Sequence, residues 1–257
     1  MIFDTHAHYD DKQFDEDRAE LLSSLPKQGV GRVVNVAADW ESVADTLALS
    51  RQYDHVFAAL GIHPSHTAEL DEVRFSILGA ALRQPKVVAV GEIGLDYYWK
   101  EPEKELQKEW FIKQLELAEE VKKPVIIHSR DAAADTLELM QQYGRYLGGI
   151  IHCYSYSVEM AKNYLDMGYY LGIGGVVTFA NGRKLHEVVQ YAPLDRLVLE
   201  TDCPYLSPEP FRGRGNRNSS LRLPYVIKKI AELKQVTPEE VEEATWKNAC
   251  QVYRLQE

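Results

Sequence analysis

Residues 86–96 read KVVAVGEIGLD: an almost unbroken apolar run, rich in β-branched side chains, that closes on carboxylates. A strand with one solvated face would alternate polar and apolar residues, whereas a continuous run marks a strand buried on both faces, as in parallel sheets. Working outward, the same pattern returns on both sides, in HVFAALGIH (55–63) and KPVIIHSR (123–130). Between them, in 102–123, Leu106, Trp110, Leu117 and Val121 fall at helical spacing, with acids and lysines on the opposite side. Further out lie MIFDTH (1–6), GRVVNVAA (31–38), GGIIHCY (148–154), GYYLGIGG (168–175) and RLVLETD (196–202), each separated from the next by a charged segment. The last helix, within 237–255, opens with Thr237 as N-cap, Pro238 in the first turn and Glu240 placed for a capping box. Eight buried strands alternating with helices predict an α/β fold, a (β/α)₈ TIM barrel, with an open doubly wound sheet as the alternative. The 257 residues suit one barrel, which takes about 250, and no linker or repeat divides them. A single domain over 1–257 is expected.

Composition narrows the function classes. Hydrophobic residues make up 45% of the chain, enough for a sizeable core. The longest apolar run, around 168–179, is far shorter than the roughly 20 residues of a membrane span. The first ten residues, MIFDTHAHYD, carry aspartates and two histidines where a leader would be greasy. Three cysteines cannot form a fully paired disulfide framework and read as thiols of a reducing compartment, so a cytoplasmic location without membrane contact is expected. A net charge of −10 argues against holding nucleic acid by bulk electrostatics, but not against a locally positive site.

The polar residues that end the apolar runs carry the chemistry. In a barrel, side chains at the C-terminal ends of several strands converge on one site. Here those ends supply His6 and His8, two apart and so on one face, then Glu92, His128, His152 and Asp202, with His63 as a further pocket residue. One such histidine would pass for a core residue; six groups at one rim, carboxylates included, would be costly to bury unless a metal gathered them. Imidazole with carboxylate and no thiolate suits divalent Zn, Mn, Fe or Ni and admits Mg. The set exceeds what one tetrahedral ion with an open position needs, and fits two ions about 3.5–4 Å apart sharing a carboxylate. Cys153 and Cys203, each following a proposed ligand, should point away and pack; His55, His66 and His186 should be solvated. Glu200, on the strand of Asp202, either supports the site or packs in the barrel.

Taken together, FDTHAHYD, GIHP, VGEIGLDYY, PVIIHSRDA, IHCYS and LETDCPYLSP, in this order, resemble the TatD family of metal-dependent deoxyribonucleases in the amidohydrolase superfamily, over essentially the whole chain. The resemblance implies that His6 and His8 hold one metal together with Asp202, that His128 and His152 hold a second, and that Glu92 bridges them. Glu92 at the fourth strand, where many relatives in the wider superfamily use a carbamylated lysine, points to the TatD branch. It also implies hydrolysis of DNA phosphodiesters, often from the 3′ end. Two divalent cations (Mg²⁺, Mn²⁺ or Zn²⁺) would then activate water, with Asp202 as general base. The expected partner is DNA, through single-stranded ends, and the expected state a monomer.

One stretch departs from the family pattern. Where an Arg-Gly-Lys-x-Asn-x-Pro run is usual, this chain has FRGRGNRNSSLRLPYV (211–226): Arg214 replaces the lysine and the proline is delayed to Pro224. Its four arginines, at 212, 214, 217 and 222, fit either a solvated loop or a phosphate clamp, since late barrel loops often hold phosphate and arginine grips it bidentately. The expectation is a clamp by Arg212 and Arg214, with Arg130 beside the fifth strand as a second phosphate contact and His63 touching substrate. Two other classes stay open: a hydrolase of a small ester, amide or lactone, or of D-aminoacyl-tRNA, with the same centre, and a non-catalytic metal-binding protein. Open coordination positions disfavour the last.

Overall fold

The computed structural model of the chain describes residues 1–213 and 215–256. Among them are eight strands: β1 (Ile2–Ala7), β2 (Val30–Val36), β3 (Val56–Leu60), β4 (Val87–Asp96), β5 (Val125–Arg130), β6 (Gly149–Ile151), β7 (Tyr170–Ile173) and β8 (Leu197–Leu199). They form one parallel sheet in chain order. A parallel bridge between Ala7 and Cys203 brings the end of the sheet back to its start, so the sheet is a barrel and not an open doubly wound layer. The helices are α1 (Arg18–Ser24), α2 (Trp40–Gln52), α3 (Glu72–Ala81), α4 (Lys104–Val121), α5 (Ala133–Leu139), α6 (Val158–Asp166), α7 (Arg183–Tyr191), α8 (Leu223–Lys234) and α9 (Pro238–Val252). No helix among the described residues is long and apolar enough to cross a membrane.

The strands are apolar throughout because each face meets a separate core. Outward residues such as Val33, Ile93, Ile127 and Leu171 pack with the helices in the larger cluster. Every strand also contributes to a second cluster, among them Phe3, Val34, Ala59, Val88, Ile126, Ile150, Tyr170 and Val198, which fills the barrel interior. Ala249, Cys250, Val252 and Tyr253, at the end of α9, join this interior cluster and seal its floor. Tyr253 donates its hydroxyl hydrogen bond to the Thr5 carbonyl at 2.8 Å, fixing the plug to β1. The Thr237–Glu240 capping box that starts α9 forms as the spacing predicts, and Trp110 and Leu117 of α4 are buried against the sheet.

Above the apolar floor, the strand period carries the same faces into a polar layer. His128 stands two residues beyond Ile126, His152 two beyond Ile150, and Glu200 two beyond Val198, so each shares a face with an interior apolar residue. Two glycines make this crowding possible. A Cβ at Gly172 would lie 2.2 Å from a Glu200 carboxylate oxygen. At Gly94, whose φ is +147°, it would lie 1.9 Å from the His128 carbonyl. β4 and β5 can approach there only because the side chain is missing.

Candidate metal centre

Glu92 is the centre of the polar layer, and its two oxygens face different histidines. Oε1 is 2.7 Å from His128 Nδ1 and 3.7 Å from His152 Nε2. Oε2 is 3.5 Å from His6 Nε2 and 3.9 Å from His8 Nε2. Asp202 Oδ1 closes the other side, 3.3 Å from His8 Nε2, 3.8 Å from His6 Nε2 and 3.7 Å from His152 Nε2. The six groups named from the strand ends thus meet in one place. Glu92 is nearly sealed, with 5% of its side chain accessible, while Asp202 keeps 19% and faces the mouth.

Hydrogen bonds behind the rings fix which nitrogen points inward. His8 Nδ1 lies 2.8 Å from the Val36 carbonyl, which requires a proton there and turns Nε2 into the site. His152 Nδ1 lies 3.1 Å from Glu200 Oε2, leaving its Nε2 inward in the same way. His128 is flanked on both sides, by Glu92 at Nδ1 and by Asp96 Oδ2 3.2 Å from Nε2. The Nε2 atoms of His6 and His8 approach to 3.1 Å, and the His6 ring stacks on His152 with centroids 3.6 Å apart. Imidazole nitrogens and carboxylate oxygens crowded like this fit a divalent cation: several such donors converge, and the outward nitrogens of His8 and His152 are already bonded.

The charge balance says the same. Burial opposes protonation of His8, yet the hydrogen bond and charge of Asp202, with Glu92 behind it, push the ring up to about 9. Burial likewise disfavours a charged His152, but Glu200 and Glu92 raise it to about 10. Burial would lift the Glu92 carboxyl, and His152 and His128 outweigh it, holding Glu92 well below the usual carboxylate range. Asp202 is held down against burial by His8 and His152. The cluster as a whole attracts positive charge.

His63 sits three residues past β3, where its side chain caps the turn Pro64–Glu69 by accepting from the Ser65 amide at 3.1 Å. Its ring meets His128 edge-on at 4.2 Å, and burial first, then the neighbouring His128, push its pKa down to about 3. It is a neutral wall of the pocket. Cys203 is buried as expected, but Cys153 is half-buried and near the site. β6 has ended at Ile151, and a left-handed Cys153 (φ +44°) breaks the alternation that would have turned it away. His55, His66 and His186 are half-buried rather than solvated; His66 pairs with Glu69 at 2.7 Å and His186 bonds the Val177 carbonyl at 2.8 Å.

Two carboxylates lie outside the set named from the strand ends. Asp96 shares the face of Glu92 by simple alternation, and that period was its available signal. Asp4, two residues before His6, is fully buried and accepts from Thr201 Oγ1 at 2.7 Å and Ser220 Oγ at 2.6 Å, tying β1 to the chain after β8. Burial pushes its carboxyl up to about 7, against those two hydrogen bonds. Glu200 does more than pack: besides holding His152 it accepts from the Cys153 amide at 2.5 Å.

The arginines of the late loop differ from one another. Arg217 is committed: it forks onto Asp17 at 2.8 and 2.5 Å, reaches the Gln13 carbonyl at 2.6 Å and lies 4.4 Å over the Phe14 ring. Arg222 lies over Phe211 at 4.0 Å. Arg212 is loosely held, 4.0 Å over Phe179 and 4.0 Å from Glu209, and about half exposed. It lines a groove of about 460 Å³ with Tyr205 and Leu206. Arg214 lies outside the described residues. Arg130 stands at the mouth with its guanidinium 3.8 Å from the centre of the Tyr98 ring.

Known proteins place this arrangement. The family model described as TatD related DNase matches residues 3–254. A metal-dependent hydrolase of Bacillus subtilis, YabD, is 41% identical over 99% of this chain and 100% of its own. The crystal structure of YjjV, a TatD homologue from Escherichia coli, superposes with a TM-score of 0.92 at 32% identity, covering 99% of this chain and 98% of that one. An organophosphorus hydrolase from Deinococcus radiodurans, with a TM-score of 0.61 at 14% identity, shares the fold alone. A closed parallel barrel, a histidine–carboxylate cluster at its mouth and a match along nearly the whole length make the chain a member of the TatD related DNase family of metal-dependent hydrolases.

Proposed function

We propose that the protein hydrolyses phosphodiester bonds of DNA, at single-stranded ends and from the 3′ side as the family resemblance implies, with two divalent cations. His6, His8 and Asp202 would hold one, His128 and His152 the other, and Glu92 both. The observation that carries this reading is the split of Glu92, one oxygen toward His6 and His8 and the other toward His128 and His152. Cations held there supply Lewis acidity toward a phosphoryl oxygen and make water acidic near neutral pH.

The chain's own groups do the rest. Asp202, the more open carboxylate, takes the proton from the attacking water as general base. A water oxygen–phosphorus bond forms, the phosphorus–oxygen bond to the leaving nucleoside breaks in line, and the leaving oxygen takes a proton from solvent. Arg130 and Arg212, neither locked into a close ion pair among the described residues, neutralise phosphate oxygens; Arg214 is proposed with them. Glu92 is kept charged by its histidines and so remains available as a bridge. His63, neutral and edge-on to His128, limits water access and touches substrate.

The test is end-labelled single-stranded DNA with metal-loaded protein, products resolved over time, and metal analysis in parallel. Progressive shortening from the 3′ end and a content near two ions per chain support the reading. A firm ceiling of one ion would replace it with a mononuclear hydrolase. Cleavage of small esters or lactones with intact oligonucleotides would replace the substrate class.

A further inference from the structure

From the rim of the same site, we infer a nucleobase-stacking platform, formed by Tyr98 and Trp99 beside Arg130, that takes the base of a single-stranded end next to the scissile phosphate. The inference rests on the phosphodiesterase reading for its substrate and on separate residues for its evidence. Tyr98 and Trp99 stand two and three residues past the end of β4 and are 53% and 55% exposed, an unusual pair of large rings to leave in water. They meet edge to face with centroids 4.8 Å apart, and Arg130 covers Tyr98 at 3.8 Å. The neighbouring Tyr97 shows the contrast: its hydroxyl donates to Asp135 at 2.8 Å and Lys104 lies 4.3 Å over its ring. For the Tyr98 hydroxyl, the Trp99 indole N–H and the Arg130 guanidinium, no hydrogen-bond or carboxylate partner occurs among the described residues.

The platform is tied to the centre by two short links. The Tyr98 amide donates to Asp96 Oδ1 at 2.9 Å, and Asp96 Oδ2 lies 3.2 Å from His128 Nε2. In the sheet, Asp96 pairs with Arg130 and Gly94 with His128, so the rings stand one strand pair above the cluster. Charge selects this side as the path of a polyanion. The mouth between β1 and β2 presents Asp10, Asp11, Asp39, Glu41 and Asp45 beside His8, against the single cation Lys12, and this net negative charge repels phosphate. The β4–β5 side presents π-faces and an unpaired guanidinium, which bind a base by stacking and its phosphate by charge. In a duplex the bases are already stacked and paired, so the occupant is a single strand or a frayed end.

The test compares a dT octamer with an abasic octamer that carries the same phosphates, binding measured by anisotropy on the full chain in chelator. Hydrolysis of both is followed in parallel with metal restored. Wild type should prefer the dT octamer by about fivefold or more, since one base–aromatic stack contributes about 1–3 kcal/mol. The double variant Tyr98→Ala, Trp99→Ala keeps the backbone amide that holds Asp96, and its preference should fall to about twofold or less. Equal binding of the two octamers by wild type overturns the platform, as does a preference that survives in the double variant with native circular dichroism. A preference that is present and lost as expected, with neither octamer cut, keeps the platform and overturns the phosphodiesterase reading.

Discussion

The strand-end cluster and the loop after β8 both carry charged side chains to the mouth, and they are built on opposite terms. In the cluster each group stands in a parallel strand or within three residues of its end, and three of the rings are held from behind by a second polar group: Val36 behind His8, Glu200 behind His152, Asp96 behind His128. In the loop one residue type serves different ends within a few positions. Arg217 is a clasp between the loop and the segment before α1, while Arg212 rests on a single ring with one side free. The tightly placed groups sit on the scaffold, and the contact proposed for a variable polyanion sits on irregular chain.

The contrast breaks first at Glu92. Glu92→Gln should keep the barrel by circular dichroism and lose hydrolysis by several powers of ten, because one substitution removes a charge from both halves of the cluster. Retained turnover with full metal content would dissolve the bridging role. Next, Glu200→Gln should weaken metal affinity about 10–100-fold, the effect of losing a carboxylate behind a ligating imidazole. Chelator competition reads this directly, and unchanged affinity would return Glu200 to packing alone. Removing metal from the wild type should lower Tm by about 5–10 °C, as about 2.7 kcal/mol is lost from a state held at 100 Kd, with about 2–4 °C per kcal/mol for a domain near this size. An unchanged Tm would mean that the cluster binds weakly or not at all.

The smallest effects sharpen the comparison inside the loop. Arg212→Ala should raise KM for oligonucleotides a few-fold and reduce the slope of log affinity against log salt by about 0.7, one single-strand phosphate contact. Arg217→Ala should lower Tm and leave that slope unchanged, because its charge is already spent on Asp17. Exchange of these two outcomes would reverse the assignment.

The barrel was legible because both cores leave the same trace, a continuous apolar run, and because helical spacing between the runs is regular. The six cluster residues were legible as polar ends on such runs. Asp96 was hidden behind the more conspicuous Glu92 on its own strand, although alternation places both on one face. Asp4 was hidden because its partners, Thr201 and Ser220, come from the far end of the chain. Cys153 was misjudged because alternation was carried past the end of β6 into a left-handed turn. The loop arginines could be counted but not sorted: only the fold brings Asp17 and Phe14 to Arg217 and Phe179 to Arg212.

The ring of strands closes through the backbone of the cluster residues. The Asp202 amide donates to the His6 carbonyl at 3.0 Å, and the His8 amide donates to the Cys203 carbonyl at 2.8 Å. Joining the last strand to the first and bringing Asp202 to His6 and His8 are therefore one event. A fragment cut between His152 and β8 carries five of the six donors and yet lacks Asp202 and the bonds that close the ring. The donor set is complete only in the closed barrel, so the topology and the centre are finished together.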